Sequence, residues 1–366
     1  MDTIFPFGVP EETGRYFVLY FVTLILHVVF MNYVLAGTGF LAVASLVRSG
    51  REGRTYASVA ILRDWMPFAL GAAITAGVAP LLFVQILYKR QFYSANLLLF
   101  HRWMIMVPVL MIGFYLLYLM KSRWFGRSAS KTQAMIACGA WACFLFAGWS
   151  WTENHVLSLD ERAWPGHFAA GAMTYSSAVI APRFLVWCAG AIPTMCTMLG
   201  WQIRGYGFAA DGAGEREARR LAVLALAGLL LCAGFGAWYF TLMGEEEHAV
   251  VSGAALRPCL LLAAAGLVGQ GIGWVLTLRT GRSSAVAITL TSVALLVTFV
   301  GATAVREAIR TVHVDMEVLV NAHVRVARSG GWYVFLFFLA LNAAIIAWCI
   351  RGVRSGISPG TADSPN

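Results

Sequence analysis

One histidine in this chain sits where a titratable ring is expensive. His27 lies in YFVTLILHVVFMNYVLAGTGFLAVASL, flanked by aliphatic residues on both sides. Hydrocarbon offers such a ring no hydration, so a functional role is the default expectation. Two readings are open: a neutral imidazole hydrogen-bonded to a neighbouring helix, or a ligand to haem iron. Neutral imidazole is a good iron ligand and the porphyrin is flat and apolar. Ala36, Gly37 and Gly39 on the same segment would let such a group approach closely.

The other six histidines all fall in or beside loops on one side of the hydrophobic spans. His101 begins a span next to Arg102 and Trp103. His155 and His167 lie in a long connection, His248 follows three glutamates, and His313 and His323 come after the eighth span. Each is expected to be solvated or interfacial. Together they allow a metal or a second haem at that surface, with His313 and His101 as candidate ligands, because a loop ligand needs no fixed spacing. Met195, Met198 and Met243 are conceivable sixth ligands, although core packing is the expectation for each. The seven cysteines form neither C-x-x-C nor C-x-x-C-H, which leaves covalent haem, iron–sulfur clusters and structural zinc without support.

The elements that must position these residues are long apolar segments. They read Arg15–Val47, Trp65–Tyr88, Phe100–Met120, Thr132–Thr152, Pro182–Ile203, Leu221–Met243, Pro258–Leu278, Ser284–Val305 and Trp332–Ile350. Each has the roughly twenty residues a helix needs to cross about 30 Å of hydrocarbon. With 59% hydrophobic and 12% charged residues, the chain could not cover a soluble domain with polar surface. The expected fold is an all-α polytopic bundle of about nine spans over residues 1–354, embedded in the lipid bilayer.

Orientation follows from the loops. Alternate loops hold sixteen Lys and Arg against six acids, which leaves eleven basic and twelve acidic residues elsewhere among the chain's 27 and 18. Basic residues stay on the cytoplasmic side, so the N-terminus is expected outside and the C-terminus inside, in a bacterial inner membrane. The net charge of +9 is then a topology signal, and nucleic acid is not an expected partner. The first span is too long for a cleaved signal-peptide core. Residues 153–181 are expected to form a folded outer cap with a short interfacial helix. Residues 306–330 form a second outer segment in which helix and strand both remain open. The Ser-, Pro- and Gly-rich tail, 355–366, is expected to be disordered.

LHVVFMNYVLAGTGFLAVASL resembles the first span of subunit I of the cytochrome bd quinol oxidases, which carries a haem-ligating histidine. ALGAAITAGVAPLLFVQILYKRQFYSAN is similar to that family's second span, sharing Gly77, Val78, Ala79, Pro80 and Gln85. Nine spans with the N-terminus outside agree with it as well. The resemblance implies haem b on His27, with Gln85 in the cofactor region. It also directs attention to the end of the eighth span, TFVGATAVREAIR, where the family has a haem-ligating glutamate. Ala304 stands near that position and Glu307 about a turn further on, as a substitute or as an ordinary surface acid. A neighbouring arginine, or Arg183, would pair with haem carboxylates.

The departures from the family are equally informative. HRWMIMVPVLMIGFYLLYLM has no carboxylate where the family delivers protons. Leu185, Val186 and Trp187 stand where a second haem-ligating histidine belongs, and the quinol-binding loop is reduced to GEEEHAVVSGAALR. The expected function is therefore a haem b electron-transfer subunit of a respiratory complex. It would exchange electrons near the periplasmic face with other membrane subunits and with a cytochrome c or similar carrier. A terminal oxidase subunit, a haem-free scaffold or transporter subunit, and a bound quinone at another place are the alternatives.

Overall fold

A computed structural model describes residues 3–4, 9–48, 57–206, 212–327 and 331–357. Two two-residue strands, β1 (Thr3–Ile4) and β2 (Val9–Pro10), pair antiparallel ahead of the first helix. The described elements after them are all helices: α1 (Glu11–Arg48), α2 (Ala57–Leu87), α3 (Lys89–Leu98), α4 (Phe100–Lys121), α5 (Arg123–Arg127), α6 (Ser130–Leu159) and α7 (Trp164–Ala169). The second half continues with α8 (Ile180–Gly205), α9 (Gly212–Thr241), α10 (Glu245–Ser252), α11 (Arg257–Thr280), α12 (Ala285–Val312), α13 (Met316–Ala327) and α14 (Gly331–Ile357).

Among the described residues, eight helices are long and apolar enough to cross a membrane: α1, α2, α4, α6, α8, α9, α11 and α12. Backbone groups in lipid must be satisfied within the segment, which is why each apolar run closes into one continuous helix. The ninth expected span falls on α14. That helix continues through Ile357, and residues 358–366 of the expected tail lie outside the described residues. Large apolar side chains such as Val18, Val22 and Leu26 on α1, and Met104, Val107 and Met111 on α4, are exposed in rows at helical spacing. In water such stripes would be a liability; facing lipid they are the ordinary surface.

α1 is the central helix and packs on α2, α6 and α8. Two polar bridges fix α8 on it inside the bundle. Asn32, buried, donates to Thr194 Oγ1 at 3.3 Å and accepts from Trp187 Nε1 at 2.8 Å, while the Tyr33 hydroxyl donates to Gln202 at 2.9 Å. Small residues set the closest approaches. A Cβ at Gly301 of α12 would lie 2.5 Å from the Ala263 backbone nitrogen of α11, and one at Gly228 of α9 would lie 3.0 Å from Pro193 of α8.

The two expected outer segments take definite form. Residues 153–159 are the last turns of α6 and not part of a surface cap. A 3-10 turn (Glu161–Ala163) and α7 follow, pinned by Trp164 Nε1 donating to the Leu157 carbonyl at 2.8 Å. Residues 306–312 complete α12, and after a break at His313 the chain resumes as α13, which decides between helix and strand.

Candidate functional site

Polar side chains from six spans converge at the end of the bundle where α1 begins. Glu307 is their hub. It is fully buried, and its carboxylate accepts from the Tyr88 hydroxyl at 2.7 Å, from Arg306 Nη2 at 2.6 Å and Nε at 3.0 Å, and from Arg310 Nη1 at 3.2 Å. The helical repeat presents Arg306, Glu307 and Arg310 together, one turn apart. Both carboxylate oxygens are thereby engaged by protein donors, so the sequence-derived candidate Glu307 organises arginines in this arrangement.

The arginines extend the network sideways. Arg306 also donates to the Tyr20 hydroxyl and lies over the Tyr20 ring at 5.7 Å; Arg310 lies over the Tyr88 ring at 4.3 Å. Cation–π contact of this kind compensates a desolvated guanidinium in part. Arg310 Nη2 is 2.6 Å from His155 Nδ1, and Arg183 Nη2 is 2.6 Å from His155 Nε2. Arg183 Nη1 donates to the Tyr239 hydroxyl at 2.9 Å. At the rim, Glu247 of α10 binds His313 Nε2 at 2.8 Å and accepts from the Gly244 N–H at 2.9 Å. The hydrogen bond from His313 foremost, with that from Gly244, holds the Glu247 carboxyl below its ordinary range against the opposing effect of burial.

His27 occupies a different place on the same face of α1, seven residues from Tyr20 and so about 10 Å deeper by helical rise. Its Nδ1 lies 2.9 Å from the Ala73 carbonyl oxygen. A carbonyl can only accept, so Nδ1 carries the proton and Nε2 carries the lone pair. Nε2 has no hydrogen-bond partner among the described residues. The ring rests on Gly77, where a Cβ would sit 2.8 Å from the imidazole Cε1. The surrounding turns of this central helix are loosely covered: no residue from Ile25 to Met31 is buried, whereas Leu24 before them and Asn32 to Leu35 after them are.

The remaining candidates stand apart. Gln85 accepts from the Tyr93 hydroxyl at 3.1 Å, away from the cluster. His101 is exposed at the start of α4, against its neighbour Phe100. His155, on α6, is no solvated loop residue, since it is held between Arg183 of α8 and Arg310 of α12. His323 is buried too, against Tyr16, Thr13 and the Ile86 carbonyl. Sequence reasoning missed His155, Tyr20, Tyr88 and Tyr239 as partners of Arg183, Arg306, Glu307 and Arg310. The one local signal was His155 lying within a turn or so of an apolar run; the tyrosines at helix ends carried none. Among the described residues no three His, Cys, Asp or Glu side chains group as metal ligands would.

Under the cap a second buried carboxylate, Glu153, faces Arg102 at 3.2 Å and accepts from the Tyr175 N–H at 2.6 Å. Fold and site together define a multi-pass helical membrane protein with a buried charged network at one end. No protein-family model matches the chain, and no curated protein matches it.

Proposed function

We propose that this protein is a haem b electron-transfer subunit of a respiratory complex in the bacterial inner membrane, similar to subunit I of the cytochrome bd oxidases, with its charged cluster at the periplasmic face. The observation that carries the reading is the state of His27. The Ala73 carbonyl fixes the tautomer that leaves Nε2 free, which is how a second partner orients a metal-ligating imidazole. The residues fit the group in two further respects. The turns from Ile25 to Met31 are only partly covered by the other described residues, so this side of α1 is open to a flat apolar group. Arg306, reached two turns along the same helix face through Tyr20, suits a carboxylate.

Haem b supplies one-electron carriage when bound. The protein's contributions are apolar surroundings, an oriented ligand atom, and a cluster of arginines at the end of the bundle. Exposed Glu245 and Glu246 on α10, at the same end, offer a negative docking surface to a basic soluble carrier such as a cytochrome c, setting encounter rate more than affinity. Oxygen reduction by this chain alone is not favoured, because α4 carries no carboxylate to deliver protons.

The test is a reduced-minus-oxidised visible spectrum of the purified protein, with haem quantified per chain. A haem b spectrum in the wild type that is lost in His27→Ala supports the proposal. A colourless wild-type protein, purified from cells supplied with haem precursors, removes it in favour of a haem-free membrane scaffold.

A further inference from the structure

His155 is bracketed by two groups that can only donate. Arg183 Nη2 lies 2.6 Å from its Nε2 and Arg310 Nη2 lies 2.6 Å from its Nδ1. Guanidinium has no acceptor and keeps its proton in proteins. A neutral imidazole has one acceptor nitrogen and one N–H, so whichever tautomer is present, one arginine faces an N–H with no lone pair to receive it. A protonated ring would make both contacts donor against donor.

The charges are unbalanced at the same place. Arg306 and Arg310 share the single carboxylate of Glu307, while Arg183 makes no ion pair among the described residues and has only Tyr239 and His155 as polar partners. Three guanidinium groups against one buried carboxylate leave a net charge of two. Glu247, which binds His313 at the rim, offsets part of it from a distance. An uncompensated charge at a partly buried helix end is unfavourable.

We propose that the Arg183–His155–Arg310 group is a binding site for an oxyanion, a phosphate-type group whose oxygens accept simultaneously from a guanidinium and from the His155 N–H. Such an anion resolves the donor conflict and neutralises the excess charge in one step. Planar guanidinium donors match its oxygens. The source is either a free anion or the headgroup of an anionic phospholipid, since the site lies at the end of the bundle. The inference does not rest on haem.

Purified protein in detergent is melted in inorganic phosphate and in chloride at matched ionic strength, and bound phospholipid is counted by native mass spectrometry, for the wild type and for Arg183→Gln. Phosphate should raise the melting temperature of the wild type where chloride does not, with an apparent affinity at least tenfold weaker in Arg183→Gln. A phospholipid that stays on the wild type and is lost from Arg183→Gln also supports the site and assigns it to a headgroup. Equal responses to phosphate and chloride in the wild type, with no phospholipid retained, overturn the proposal; this comparison decides by itself if Arg183→Gln does not accumulate. A phosphate response in protein found to lack haem leaves this site standing while the haem reading falls.

Discussion

Tyr88 and Glu307, 219 residues apart in the chain, are joined by a 2.7 Å hydrogen bond in which the phenol donates to the carboxylate. That bond ties the break after α2 to the last turns of α12. α1 joins the same network through Tyr20, which accepts from Arg306 at this end of the bundle.

Removing the hub should be costly. Glu307→Gln leaves Arg310, buried, and Arg306, partly exposed, without their carboxylate, and breaking a buried pair from one side costs about 3 kcal/mol or more. Tyr88→Phe removes one hydrogen bond and should cost about 1–2 kcal/mol. Unfolding in denaturant from a fixed detergent checks both; equal costs for the two variants would contradict the assignment of Glu307 as hub.

Gly77→Ala is the companion to the His27 variant. A methyl group there would lie 2.8 Å from the imidazole, so the ring must leave the Ala73 carbonyl while the ligand residue itself is intact. We expect haem per chain to fall severalfold with unchanged membrane insertion. Full haem occupancy in Gly77→Ala would show that the Ala73-oriented ring is not the ligand.

Two groups outside the spans contribute to the pH profile, with the same sign in different windows. Glu247 has its folded pKa lowered, chiefly by the His313 hydrogen bond, from an ordinary 4.5; its contribution is complete above that value and lost as pH falls through the folded one. His323 has its folded pKa lowered by burial from 6.5, so the neutral ring stabilises fully above 6.5 and less as pH drops below it. Melting temperature against pH should therefore decline from about pH 6.5 downward and again below about pH 4.5. Glu247→Gln should flatten only the lower limb. A lower limb unchanged by that substitution would remove Glu247 from the account.

Orientation is tested by labelling. Ser176 and Ala129 are exposed at opposite ends of the bundle, Ser176 between α7 and α8 and Ala129 between α5 and α6. In spheroplasts an impermeant thiol reagent should modify Ser176→Cys and not Ala129→Cys, beyond the background of the parent protein. The opposite pattern would put the charged cluster in the cytoplasm.

Much of the fold was legible because a bilayer leaves a twenty-residue apolar run one stable conformation, and eight of the expected segments appear as such helices. His27 was legible for the same reason, as a polar ring in an apolar run, and the helical repeat put Arg306, Glu307 and Arg310 on one turn. Which helix ends meet was not legible, because contacts between residues more than a hundred apart have no local period. His155 read as a loop residue because the polar Thr152, Glu153 and Asn154 precede it and end the apolar run, yet α6 runs on to Leu159 and carries it between Arg183 and Arg310. His323 is buried by α1 and the end of α2, neither of which is near it in sequence. The sequence by itself determined where the chain enters lipid and which residues are costly there; the tertiary structure decided which of those residues share one another's charges, since only packing brings Tyr88 onto the carboxylate of Glu307 and leaves His155 between two arginines.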